Sequence, residues 1–279
     1  MGTLYLVPTP IGNLGDISKR AAEILSAVDF IAAEDTRVTV KLLNHLDIKK
    51  PMVTYHRHNC DTAGPAILRR LEEGESCALV TDAGTPGISD PGEDLVALCT
   101  AAGVKVESVP GPCALTAALS VSGLPAARFA FEGFLPMNRK NRRARLEALE
   151  REERTMIFYE APHKLRATLD DLAAVFGPDR RIVLCRELTK LHEEVIRTTL
   201  GEAVIRFSGQ EPRGEFVLVA AGRPPQAEER DGDAALARAE ELRRTGLPLK
   251  EAAAQAAQEF GVKKRELYNR ALRGGGGER

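Results

Sequence analysis

At 279 residues the chain is nearly twice the length of a typical domain of roughly 150 residues, which predicts two domains with a small appendage. With 43% hydrophobic and 28% charged residues it reads as soluble and globular, neither disordered nor membrane-spanning. The 39 basic and 40 acidic side chains leave a net charge of −1, which argues against a chain that grips nucleic acid by its overall charge.

Over the first 125 residues short β-like runs alternate with helical patterns, as expected of α/β units around a parallel sheet. Strands are predicted at Leu4 to Val7, Phe30 to Ala33, Val53 to Tyr55, Ala78 to Thr81 and Val104 to Val109. Helices are predicted at Ile17 to Val28, Val38 to Leu46, Ala63 to Glu73, Gly92 to Ala102 and Ala114 to Val121. A break at Gly123-Leu124-Pro125 separates a first domain, 1–124, from a second, 125–224. In the second, strands at Phe129 to Phe134, Met156 to Tyr159, Ile182 to Cys185, Val195 to Leu200 and Phe216 to Ala221 suggest a mixed sheet with fewer helices. A polar linker follows Pro224-Pro225, and three helical patterns fill a tail domain, 234–279.

Five cysteines, Cys60, Cys77, Cys99, Cys113 and Cys185, form no C-x-x-C pair and do not read as a disulfide framework. The longest uncharged stretch, Ser108 to Ala127, holds Pro110, Pro112, Gly123 and Pro125, so no membrane span is expected there. The apolar run near the N-terminus lacks a basic flank and a signal-like core, and a cytoplasmic protein is the expectation.

If the first five strands are parallel, the loops after them all lie along the carboxyl edge, where open α/β sheets bind ligands. These loops are Pro8 to Asn13, Glu34 to Arg37, His56 to Asn59, Asp82 to Pro91 and Pro110 to Cys113. Any one of them is readable as a turn or a helix cap; five on one edge point to a site. No G-x-x-x-x-G-K-[ST] occurs, and the loop from Asp82 to Pro91 holds no Lys or Arg, so a nucleoside triphosphate is disfavoured. The only G-x-G lies in the glycine tail Gly274 to Gly277, which disfavours a Rossmann dinucleotide site. Acids at Asp82 and Asp90 with glycines at Gly84 and Gly87 suit an adenosine that bears a positive centre, such as S-adenosylmethionine.

Between Met137 and Glu147 the residues Arg139, Lys140, Arg142, Arg143 and Arg145 supply five positive charges and no acid. At i,i+4 spacing Arg143 meets Glu147, but Arg142 meets Leu146 and Arg145 meets Leu149, so most of the cluster is predicted to be unpaired and able to meet phosphates. His56, His58 and Cys60 alternate as metal ligands could, yet no fourth ligand is evident, and no metal is expected. From Leu249 to Leu272 the apolar spacing matches a helix-turn-helix, with Lys263, Lys264 and Arg265 opening its second helix. This tail is expected to be mobile on the polar linker 226–233.

The runs LYLVPTPIGNL, VDFIAAEDTR, YHRHN, ALVTDAGTPGISDPG, VPGPCA, SGLP, FEGFLP, IFYEAPHKL and RELTK, in this order, closely resemble the bacterial small-subunit ribosomal RNA methyltransferase I family. LPLKEAAAQAAQEFGVKKRELYNRAL continues the resemblance more loosely. The resemblance implies an α/β, two-domain tetrapyrrole methylase-like fold with a small helical, helix-turn-helix-like C-terminal appendage. It implies a homodimer that uses S-adenosylmethionine to methylate the ribose 2'-oxygen of a cytidine in the decoding region of the small subunit, in its assembled state. Carried onto this chain, it places the cofactor against Pro8, Gly12, Asp82, Ala83, Gly84, Thr85, Ile88, Cys113, Ala114 and Tyr159. The acid-base or aligning group is sought among Glu34, Asp35, His56, His58, Glu160 and Glu187, with Arg37 beside Asp35 able to hold a phosphate. His163, Lys164, Arg186 and Lys190 belong to the same motifs and extend the basic track. Two other readings remain open from sequence: a corrin or porphyrin methylase of the same fold, and a non-catalytic RNA-binding assembly factor.

Overall fold

The computed structural model describes residues 1–209, 211–224, 232–262 and 264–274. Residues 1–222 form one compact unit and 223–279 a second.

The first unit holds two five-stranded sheets. In the first sheet β1 (Thr3–Leu6), β2 (Phe30–Ala33), β3 (Met52–Thr54), β4 (Cys77–Val80) and β5 (Lys105–Ser108) run parallel in the order β3-β2-β4-β1-β5. Between them stand α1 (Lys19–Ala27), α2 (Thr36–His45), α3 (Cys60–Glu72) and α4 (Glu93–Ala101). Every residue of β2 and β4 is buried, as expected of inner strands covered on both faces, and this is why they read as unbroken apolar runs. One apolar layer gathers Leu4, Phe30, Leu79 and Leu95, the opposite one Val7, Leu25, Ile31 and Val80. Ser18 and Asp35 cap α1 and α2 by accepting backbone N–H bonds of the first turn.

The second sheet is mixed, in the order β6-β7-β10-β8-β9: β6 (Phe129–Phe134), β7 (Thr155–Glu160), β8 (Arg181–Arg186), β9 (Glu194–Thr199) and β10 (Phe216–Ala220). Only the β6/β7 pair is parallel. One face is covered by α6 (Arg139–Ala148), α7 (Leu165–Phe176) and α8 (Leu200–Phe207) around Leu146, Phe158, Leu169 and Leu218. The other face receives α5 (Ala114–Ser122), whose Leu115, Ala118 and Leu119 pack on Ile157, Val183 and Val217. By sequence α5 precedes the break at residue 123, yet its apolar face lies on the second sheet, so the two sheets share an element across the expected boundary at 124.

The second unit comprises α9 (Gly232–Arg244), α10 (Leu249–Glu259) and α11 (Lys264–Gly274), the three helices expected of the tail. Ala235, Ala239, Ala252, Ala256 and Leu267 make its core; small residues there let helix backbones approach closely. Lys263 and most of the polar linker, residues 226–231, lie outside the described residues. Among the described residues no helix is long and apolar enough to cross a membrane.

Candidate active site

Four of the five carboxyl-edge loops of the first sheet converge on a cleft of about 490 Å³ that the second sheet closes from the other side. The loop after β1 contributes Ile11, that after β2 Glu34, that after β4 Asp82 to Thr85 and Ile88 to Asp90, and that after β5 Cys113. Ala114 opens α5, while Tyr159, Glu160, Cys185 and Val217 come from strands of the second sheet. The loop after β3 does not line the cleft; instead the Arg57 guanidinium donates to the Ser89 carbonyl and ties it to the long loop.

Of the expected cofactor residues, eight line the cleft: Asp82, Ala83, Gly84, Thr85, Ile88, Cys113, Ala114 and Tyr159. Pro8, buried, and Gly12, exposed, do not. The Thr9 and Gly84 backbones exchange N–H···O bonds of 3.0 Å, which docks the first loop under the long one. A Cβ on Gly111 would stand 2.9 Å from Pro8 Cβ, and one on Gly12 would stand 2.5 Å from Lys190 Cγ. Gly12 thus lets the first loop touch the segment Leu188 to Lys190 that follows the second sheet's β8. Thr85 Oγ1 donates to the Pro112 carbonyl at 2.9 Å, and the Tyr159 hydroxyl accepts the Leu115 N–H at 3.0 Å, so long loop, α5 and β7 are braced together. Burial pushes the Tyr159 hydroxyl far above the ordinary phenol range, so it stays protonated.

Among the expected catalytic groups only Glu34 and Glu160 line the cleft. Both Glu160 oxygens are engaged, one by the Ala161 N–H at 2.9 Å and one by the Thr168 hydroxyl at 2.5 Å. Glu34 is freer: among the described residues its carboxylate accepts one hydrogen bond, from the Asp82 N–H, and that is 3.5 Å long. Burial, then the charge of Asp90, raises its carboxyl above the usual range. Burial also raises Asp82 and Asp90. The Asp35 carboxylate is spent locally, accepting from the Arg37 N–H at 2.8 Å and from its guanidinium at 2.6 Å, and the Arg37 side chain holds it down at about 2. In this structure the pair closes on itself: Asp35 caps α2 and the exposed Arg37 folds back on it. Glu187 is likewise committed, to the Glu215 N–H and the Lys190 ammonium, both at 2.9 Å. His56 lies outside the cleft lining, its backbone N–H held by Asn59 at 2.8 Å and its ring 6.0 Å from that of His58. Among the described residues no group of three or more His, Cys, Asp or Glu side chains is placed to hold a metal ion.

The basic cluster divides. Arg142 is buried and donates through Nε to Asp171 at 2.8 Å, so it is not part of the surface. Arg139 lies 3.6 Å from the same carboxylate, and Arg145 donates to Glu132 at 2.9 Å. The expectation that Arg142 and Arg145 lack partners is thereby corrected: their acids come from α7 and β6, which spacing along α6 cannot reveal. Lys140 and Arg143 are exposed and make no ion pair among the described residues. His163 lines the cleft and Lys164 follows it, while Arg186 donates to the Arg213 carbonyl and Lys190 bridges Glu187 and Glu215.

Sequence reading placed Asp90 in the ligand loop but missed Phe134, Leu188 and Glu215 as lining residues. A signal for Phe134 existed, since an isolated glycine inside a strand pattern, Gly133, marks a bulge that re-aims the next side chain. Among the described residues five carboxylates (Glu34, Asp82, Asp90, Glu160 and Glu215) and no Lys or Arg line the cleft. Such a lining repels polyphosphate and favours a cationic ligand with hydroxyls.

The family model for tetrapyrrole (corrin/porphyrin) methylases matches residues 3–204, and that for the RsmI C-terminal HTH domain matches 226–274. The chain is 50% identical over 273 residues to the ribosomal RNA small subunit methyltransferase I of Escherichia coli O157:H7, spanning 97% of this chain and 95% of that protein. It is 49% identical over 275 residues to the Synechocystis sp. protein of the same name, covering 98% of each. Among solved structures, uroporphyrin-III C-methyltransferase from Thermus thermophilus, complexed with S-adenyl homocysteine, shares the fold at a TM-score of 0.56 and 19% identity, over 78% of this chain and 97% of that one. Sequence identity of 49–50% over nearly the whole length, on a chain whose parallel and mixed sheets join around an acidic cleft, places it in the ribosomal RNA small subunit methyltransferase I family of the tetrapyrrole methylases.

Proposed function

We propose that this chain transfers the methyl group of S-adenosylmethionine to the ribose 2'-oxygen of a cytidine in the decoding region of small-subunit ribosomal RNA. It does so as a cytoplasmic homodimer acting on the assembled small subunit. The observation that carries the reading is the cleft: among the described residues five carboxylates and no Lys or Arg, with the Gly84 backbone paired to that of Thr9, in a chain half identical to ribosomal RNA methyltransferases. The residues fit the cofactor on chemical grounds. Carboxylates offer acceptors to ribose hydroxyls and balance a sulfonium charge, and the volume lies within the range of about 300–1,000 Å³ usual for small-molecule sites. The bound cofactor supplies a methyl group on positively charged sulfur.

In this reading Asp82 to Thr85, Ile88, Cys113, Ala114 and Tyr159 hold that cofactor, and Pro8 and Gly12 set the loops that do so. Glu34 accepts the proton of the attacking hydroxyl. It is the expected catalytic carboxylate that both lines the cleft and keeps an oxygen uncommitted, and its raised pKa makes it the stronger base. A ribose hydroxyl ionises far above neutral pH, so alignment carries much of the rate. Lys140 and Arg143 meet phosphates outside the acidic cleft, with Arg139 beside them.

The test is calorimetric binding of S-adenosylmethionine, followed by transfer of its tritiated methyl group to naked RNA, isolated small subunits and whole ribosomes in parallel. Micromolar cofactor binding with transfer greatest to small subunits is expected. Binding to small subunits without cofactor binding or transfer would replace this reading by that of a non-catalytic assembly factor, and transfer to tetrapyrroles alone by that of a corrin or porphyrin methylase.

A further inference from the structure

The large apolar side chains of the cleft are mostly buried or half-buried, but at its mouth Phe134 is 56% exposed. The chain has no Trp, four Tyr and nine Phe, and among the described residues only Phe129 and Phe134 are exposed aromatic rings of these types. Phe129 opens β6, at the other end of the strand; Phe134 closes it, at the cleft.

The position of Phe134 depends on a backbone irregularity. Side chains alternate along a strand, so residues 131 and 134 of an unbroken β6 would face opposite ways. Here Phe131 stands opposite Ile157, Gly133 opposite Phe158 and Phe134 opposite Tyr159, so Glu132 is an extra residue in the ladder. Gly133 sits at φ +62°, a left-handed conformation that suits glycine. The bulge restores Phe134 to the face of Phe131, and both rings meet Tyr159 edge-on, with centroids 4.9 and 5.6 Å away and planes at 67°. Phe131 is half-buried in the layer under α5, while Phe134 remains open to solvent at the rim. The chain then passes Met137, 77% exposed, and enters α6 with Lys140 and Arg143, exposed and without an ion pair among the described residues.

An exposed ring together with exposed cations is how proteins grip single-stranded nucleic acid, the base stacking on the ring and the phosphates meeting the charges, and here the cations follow the ring at the start of α6. We propose that Phe134 is the stacking platform for the target nucleobase: the nucleotide to be methylated swings out of its strand, its base lies on the open ring, and its ribose reaches into the cleft beside Glu34. The inference rests on the methyl-transfer reading and adds to it the residue that positions the substrate. The base, rather than the adenine of the cofactor, is the occupant because Phe134 leads directly into the cationic start of α6. The acids that suit the cofactor come chiefly from the other sheet's loops. Stacking tolerates any base, so Phe134 contributes affinity and position and leaves base identity to other groups.

The test compares wild type with Phe134→Leu and Phe134→Tyr, measuring calorimetric affinity for S-adenosylmethionine, melting temperature, and kcat and KM for isolated small subunits. Phe134→Leu is expected to melt and bind cofactor as wild type does while KM for small subunits rises on the order of 10-fold or more, and Phe134→Tyr is expected to restore KM. Lost cofactor affinity at unchanged KM would seat the adenine on the ring and overturn the proposal. So would a Phe134→Leu variant indistinguishable from wild type, or a KM that Tyr does not rescue. A wild-type protein that transfers no methyl group to small subunits would defeat the methyl-transfer reading itself, and the stacking role with it.

Discussion

Replacing Arg142 by Met separates the structural from the RNA-binding members of the basic cluster. Arg142 and Asp171 have side chains only 9% and 4% exposed, and Nη2 lies 2.7 Å from Oδ2 with Nε donating to the same oxygen. A third bond, from Nη1 to the Met137 carbonyl at 3.3 Å, ties the entry of α6 to the pair. Methionine fills much of the volume but leaves the Asp171 carboxylate buried, its one remaining cation being Arg139 at 3.6 Å. Removing one partner of a buried ion pair costs about 3–5 kcal/mol. At about 2–4 °C per kcal/mol for a unit of this size, the melting temperature should fall by about 6–20 °C. Calorimetry of Arg142→Met, Asp171→Leu and the double variant completes the cycle, and the double variant should recover most of the loss because no uncompensated charge remains. An Arg142→Met protein that melts as wild type but binds small subunits more weakly would refute the reasoning and return Arg142 to the RNA-binding surface.

Lys140→Glu with Arg143→Glu should leave melting and cofactor affinity unchanged. It should weaken RNA binding and flatten the dependence of log affinity on log salt by about 0.7 for each lost phosphate contact, read by filter binding across salt concentrations. Glu34→Gln should bind S-adenosylmethionine normally yet lose turnover. In wild type the rate should fall as pH drops through the raised Glu34 pKa, and in the variant that acid limb should vanish from the pH profile of kcat/KM. Asp35→Ala should lower the melting temperature with little effect on kcat. Because Arg37 depresses the Asp35 pKa to about 2, its contribution is full above the ordinary value of 3.8 and is lost as pH falls through about 2, so wild type and variant should converge in melting at the acid end. Gly12→Val places side-chain atoms where Lys190 Cγ and Thr189 Oγ1 stand, at 2.5 and 2.8 Å from the new Cβ. The separation of the first loop from the Leu188 to Lys190 segment should lower kcat/KM by about 100-fold in a methyl-transfer assay.

The parallel sheet and its carboxyl-edge loops were legible in the sequence because β2 and β4, buried on both faces, read as unbroken apolar runs, β2 between Asp29 and Glu34 and β4 between Gly74 and Gly84. The acidic, phosphate-poor character of the cleft was legible too, since Asp82 to Asp90 sits in one loop. Choices between adjacent residues were not. Glu34 and Asp35 look equivalent in sequence, yet one faces the cleft and the other caps a helix, a difference of side-chain direction that only the placement of α2 decides. Partners distant in the chain were equally hidden: Arg142 meets Asp171 across 29 residues, and spacing along one helix registers only its own acids. The packing of α5 on the second sheet escaped because a helix with two apolar neighbours in sequence does not declare which one it covers. The bulge at Gly133 left a trace, a glycine within an aromatic strand, but its consequence, which ring faces the cleft, required the register.

The account stands most directly on where the methyl group goes. Small subunits incubated with this protein and S-adenosylmethionine carrying a deuterated methyl group, then digested to nucleosides and read by mass spectrometry, should yield 2'-O-methylcytidine bearing the label, with Glu34→Gln yielding little. Label on a base carbon or nitrogen, or no label in RNA despite cofactor binding, would contradict it.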